Sequence, residues 1–150
     1  VVPGGGVFAE QVRTSQQQLQ FSDRTAHCMA ILAMQQMALL IVGVNPKFKR
    51  VTLPELLQQS VELSLCVWTP TIGELDQAGI ASTWKITSDS LAVWLAKTIS
   101  ASQLLIVKSI AINSNLSLQN LADIGVIDEC FCDFAADANF NIKVINAQSL

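Results

Sequence analysis

Basic residues are scarce: nine lysines and arginines stand against twelve acidic residues, for a formal net charge of -3 over 150 residues. With so few cations and no polybasic stretch, the sequence offers no electrostatic footprint for nucleic acid or for an anionic membrane surface. Histidine is nearly absent, with His27 the one copy. No second pair accompanies Cys130-x-Cys132 at zinc-site spacing, so no metal site is expected on protein ligands. The longest apolar run, residues 28–44, falls short of the ~20 residues a membrane span needs and carries Gln35 and Gln36 in its middle, so it reads as a helix buried in protein. No signal-type segment stands ahead of Cys28, Cys66, Cys130 and Cys132, which points to free buried thiols in a reducing cytoplasm. Repeats, linkers and low-complexity tracts are missing too.

What remains is strongly globular. Hydrophobic residues make up 51% of the chain and charged residues 14%, so much of the surface must be hidden in a core or a subunit interface. The length is that of one domain, taken as residues 1–150. Val1-Val2-Pro3-Gly4-Gly5-Gly6 resembles the tail of a buried strand entering a glycine turn, and a segment that begins this strand is expected upstream. Apolar spacing predicts a helix over 7–20 and another capped by Ser22 or Asp23 and stopped by Gly43 and Pro46. Strands are expected at 49–51, 63–68 and 142–145, with a fully buried one at 103–107. Helices are expected at 54–59, at 118–124, at 127–136 and from Thr87 or Ser88 to Ile99, and a loop with a helical turn at 71–82. Alternating strands and helices imply a parallel sheet covered on both faces, with ligands at the carboxyl ends of its strands.

Three groups of residues stand at such ends. Gly4, Gly5 and Gly6 follow a strand and precede a helix, where bare backbone N–H groups can approach an anion, although a plain chain reversal explains them equally well. They match neither the dinucleotide fingerprint nor a Walker loop. Thr87, Ser88 and Asp89 open a helix. They read either as a cap with a dipole-stabilised carboxylate or as a carboxylate that holds a catalytic lysine or substrate group. Lys108 closes an apolar strand; it is either a solvated strand-terminal lysine or an ammonium that neutralises charge on a transferring phosphoryl group. His27 reads as a core or interface histidine, and Trp68, Trp84 and Trp94 as packing, with Trp84 the one placed to line a pocket.

In this order the pieces resemble the amino-acid kinase superfamily, which includes acetylglutamate, aspartate and uridylate kinases. The resemblance is carried by Val1 to Ala9 with Val12-Arg13, Ser22-Asp23 with Ala26-His27 and Met29 to Met34, Trp84-Lys85-Ile86-Thr87-Ser88-Asp89-Ser90-Leu91-Ala92, and the strand ending in Lys108. It is closest to the branch that includes the aminomethylfuran-methyl phosphate kinase of methanofuran biosynthesis. The resemblance implies a three-layer αβα sandwich with a mostly parallel central sheet, ATP and Mg²⁺ as cofactors, a homodimer or higher homo-oligomer, and a small acidic or phosphomonoester acceptor. It places Gly4, Gly5, Gly6, Thr87 and Ser88 at the acceptor, makes Asp89 the organiser of the site, and sends Lys108, with Ser109 beside it, to the nucleotide phosphates.

Two family features are not found: a first strand with a Lys-x-Gly-Gly-Ser turn, and an Asp-Gly segment after Lys108, where Ser109-Ile110-Ala111-Ile112-Asn113 stands instead. The sequence therefore supports two readings, a small-molecule kinase or a catalytically inactive relative that binds a ligand or partner. A nicotinamide-dependent oxidoreductase fits less well, because the glycine spacing is wrong and no acidic ribose ligand follows.

Overall fold

The computed structural model describes residues 1–58, 65–113 and 116–149. The chain divides into two compact units, Val1–Trp84 and Lys85–Leu150.

The first unit runs through α1 (Gly6–Leu19), α2 (Asp23–Val44), β1 (Lys49–Val51), α3 (Leu53–Leu57), β2 (Cys66–Trp68) and α4 (Ile72–Gln77). Ser22 caps α2 by accepting a hydrogen bond from the Thr25 amide at 3.2 Å. Gly43, expected to stop this helix, lies inside it, and the chain leaves the helix at Asn45 in an extended conformation. A glycine merely weakens a helix, whereas Pro46 forces the residue before it out of the helical region. The capping box of α3, in which Glu55 accepts from the Thr52 amide at 2.6 Å, follows from the sequence Thr-x-x-Glu.

At 22 residues and mean hydropathy 1.8, α2 is by length and composition long enough to cross a membrane, which corrects the length argument made from the sequence. One of its faces is nevertheless packed within the unit: Ala26, Ile31, Ala33, Met34 and Ala38 are buried, and the helix lies against α1, β1 and β2. β1 and β2 pair in parallel, Arg50 opposite Val67. On the other edge of β2, the Val1 amino group donates to the Cys66 carbonyl at 2.6 Å and the Trp68 amide donates to the Val1 carbonyl at 2.9 Å. That alternation is the parallel-ladder pattern, so Val1 continues the sheet as the expected strand tail. Residues 63 and 64 of the strand expected before Trp68 lie outside the described residues.

The second unit contains α5 (Ser88–Thr98), β3 (Gln103–Lys108), α6 (Leu118–Asp123), α7 (Phe131–Ala135) and β4 (Asn141–Asn146), followed by a 3₁₀ turn at Ala147–Ser149. β3 and β4 pair in parallel over six residues, from Gln103 opposite Asn141 to Lys108 opposite Asn146. α5 packs on β3 and α7, and α6 on α7. The strand predicted to be fully buried is not: Ile106 is buried, but Leu105 and Val107 are 41% and 44% exposed. α7 also begins later than expected. Gly125 takes a left-handed conformation (φ 73°) that closes α6, with the Val126 amide bonded to the Leu121 carbonyl, and the segment 126–130 becomes a turn.

Candidate functional site

The second unit brings a carboxylate and an ammonium together at the carboxyl end of β3. Apolar side chains hold the two elements: Leu91, Val93 and Leu95 of α5 and Ile106 of β3 are buried. Thr87 caps α5, its hydroxyl accepting from the Asp89 amide at 3.4 Å. This fixes Asp89 in the first turn, where the helix dipole favours its negative charge. Lys108, the last residue of β3, donates from Nζ to Asp89 Oδ2 at 2.5 Å. The Asp89 and Lys108 side chains are only 13% and 21% exposed. Burial pushes the Asp89 carboxyl above the usual carboxylate range, against the opposing pull of the Lys108 ammonium, while the charge of Asp128 pushes it further up.

Asp128, in the turn between α6 and α7, completes the arrangement. Its Oδ2 accepts from the Thr87 amide at 2.8 Å, the Thr87 hydroxyl at 2.9 Å and the Ser90 amide at 3.0 Å. Its Oδ1 accepts from the hydroxyl of the fully buried Ser90. One residue therefore ties both sides of Asp89 in place. No local sequence signal marks it, because its partners lie 38 and 41 residues away.

Gly4, Gly5 and Gly6 lie in the first unit, at the start of α1. No side chain caps this helix and no acidic residue stands in its first turn. Gly6 has φ +51°, and a Cβ there would meet Met37 Sδ of α2 at 3.0 Å; a Cβ on Gly5 would fall 2.4 Å from Ala9 Cβ. Left-handed backbone and close helix packing thus require glycine at both positions.

The chain superposes on uridylate kinase from Archaeoglobus fulgidus with a TM-score of 0.69 at 18% identity, over 96% of this chain and 73% of that one. The fold is that of the amino-acid kinases. No protein-family model matches the sequence, and no curated protein matches it significantly.

Of the residues singled out in the sequence, Thr87, Asp89 and Lys108 meet within the second unit. Ser88 opens α5 next to them, and Ser109 follows Lys108 in an exposed bend. The segment after Lys108 is tied to β4 by the Asn146 side-chain amide, which donates to the Ile110 carbonyl at 2.6 Å. His27 is buried on α2, and burial lowers its pKa, with Arg24 adding to the effect. Trp84 packs with α1: its indole N–H donates to Gln16 at 2.6 Å and the Arg13 guanidinium lies 4.3 Å above its ring. The four cysteines are unpaired and partly exposed, not fully buried as expected. Neither Asp128 nor the Arg13 stack is singled out by sequence reasoning alone.

Proposed function

We propose that the protein is a small-molecule kinase that transfers the γ-phosphoryl group of ATP to a small acidic or phosphomonoester acceptor. The observation that carries this reading is the Asp89–Lys108 pair, 2.5 Å apart and mostly out of water at a strand's carboxyl end, in a fold shared with a uridylate kinase. Phosphoryl transfer needs positive charge aimed at oxygens on which negative charge is concentrated, and little else from the protein. Lys108 supplies that charge. Asp89 orients it, and the hydroxyls of Ser88 and Ser109 are available to bind phosphate or acceptor oxygens, whereas the Thr87 hydroxyl already donates to Asp128.

The residues present suit a nucleotide brought in with its metal. Among the described residues no group of three His, Cys, Asp or Glu side chains could hold an ion, so Mg²⁺ would ride on the phosphates, which is its usual habit. When bound, it neutralises phosphate oxygens. Lys108 and Ser109 would hold the nucleotide.

The motif resemblance supports an acceptor of the methanofuran type in one-carbon cofactor biosynthesis, in the cytoplasm. The exposed apolar residues Met29, Leu32, Leu39 and Leu40 of α2 support self-association through this helix, which light scattering would test: a monomer removes the idea. ATP-dependent phosphorylation of a panel of phosphomonoesters by the full natural chain tests the activity. Turnover that depends on Lys108 supports it, and MgATP binding without turnover on any acceptor overturns it.

A second reading, an inactive kinase-fold protein kept for ligand or partner binding, is favoured by one observation. Residues 109–113 contain neither an acidic residue nor a glycine. Absence of MgATP binding by the natural chain would support that reading, and Lys108-dependent turnover would exclude it.

A further inference from the structure

We propose that Asp128 is a positioning residue: it clamps the first turn of α5 so that the Asp89 carboxylate meets Lys108, and so sets the direction of the Lys108 ammonium. The proposal rests on the kinase reading for its catalytic meaning but not for its geometry. An ionised carboxylate has about four acceptor sites, and Asp128 spends four hydrogen bonds on two residues that bracket Asp89, from both the backbone and the hydroxyl of Thr87 and of Ser90. A carboxylate needed only to cap a helix would satisfy one or two amides. Here Thr87 already provides the cap. Asp128 reaches neither Lys108 nor any residue assigned to the acceptor except Thr87. Its effect on the reaction therefore runs through the turn it holds.

Asp128→Asn keeps the size but removes the charge and turns an NH₂ group toward N–H and O–H donors. The test follows Lys108 directly. The protein is treated with acetic anhydride, and acetylation of each lysine is timed by mass spectrometry, with the exposed Lys47 as internal reference. In the native chain the Asp89-held ammonium should react more slowly than Lys47. Asp89→Asn should raise its rate, and Asp128→Asn should raise it by roughly tenfold, the equivalent of one charge-assisted hydrogen bond. The double variant should react no faster than Asp89→Asn alone. Ser90→Ala, which removes one of the four bonds and no charge, should shift the rate in the same direction by a smaller factor, and it decides the matter if Asp128→Asn does not fold. Lys108 reactivity that rises in Asp89→Asn but stays native in Asp128→Asn, or in Ser90→Ala where that variant decides, overturns the proposal. With an active preparation, Asp128→Asn should lower kcat while leaving KM for MgATP within about threefold. A protein without kinase activity would leave the acetylation result intact, so the two readings fail separately.

Discussion

The glycine turn at the head of α1 and the ion pair at the end of β3 occupy comparable positions, each where a strand gives way to a functional candidate, yet they differ in how fully packing explains them. Gly5 and Gly6 are accounted for without any ligand: Ala9 leaves no room for a side chain at Gly5, and the backbone at Gly6 is left-handed. The Asp89–Lys108 pair has no such explanation. Sequestering two charges carries a desolvation penalty that their attraction barely offsets, and well-packed apolar residues would serve stability as well or better. A glycine turn at a strand end is therefore weak evidence for a site, whereas a sequestered pair with a dedicated clamp is stronger evidence.

That contrast can be broken or sharpened by mutation. The largest expected effect is on activity: Lys108→Met should lower phosphoryl transfer by about a thousandfold, as removal of a preorganised charge partner does. Its stability cost, about 3 kcal/mol or less from stranding Asp89, should be largely recovered in the Asp89→Asn/Lys108→Met double variant. Denaturant melts of the three proteins check this, and a double variant less stable than either single one would remove the contrast.

The glycines should behave in the opposite way. Gly5→Ala should destabilise the fold by about 1–3 kcal/mol through overpacking, and Gly6→Ala by about 1–2 kcal/mol through its left-handed backbone. If both variants kept native melting temperatures but lost acceptor affinity, the turn would be a site after all.

A smaller effect concerns pH. Asp89 must be ionised to hold Lys108, and burial raises its folded pKa. The acid limb of the rate profile should therefore lie above the ordinary aspartate value of about 4; a limb at or below that value would contradict the assignment.

The smallest effect is expected in the first unit. Glu74 is pushed above its ordinary 4.5 chiefly by burial, with hydrogen bonds from Thr71 and Trp68 opposing. A raised folded pKa means that this group's contribution to stability is fully present below the unfolded value and lost as pH rises through the folded one. Glu74→Gln should accordingly stabilise the protein at pH 7 and lose that advantage below its ordinary 4.5. Thermal melts at the two pH values would show it.

Much of this was legible in the sequence wherever the cause was local. The α1 and α2 starts, β1 at Lys49–Val51 and the Thr87 cap of α5 follow from apolar spacing, a capping serine or threonine, and proline. Lys108 could be placed at a strand end, and Asp89 in a helix's first turn, from pattern alone. Their meeting could not, because 19 residues and two elements separate them. Asp128 was less legible still. It stands in Gly-Val-Ile-Asp-Glu, which reads as a helix start, and Gly125 instead makes that stretch a turn that delivers the carboxylate to α5. The exposure of Leu105 and Val107 escaped for the same reason, since an apolar run does not say which of its faces is covered.

The most direct test of the central claim is calorimetric titration of the full natural chain and its Lys108→Met variant with MgATP, with circular dichroism to confirm that both are folded. The account predicts that the native protein binds the nucleotide and that the variant binds it at least about tenfold more weakly. Equal affinity in two folded proteins would contradict the assignment of Lys108 to the phosphates, and with it the kinase reading of the Asp89–Lys108 pair.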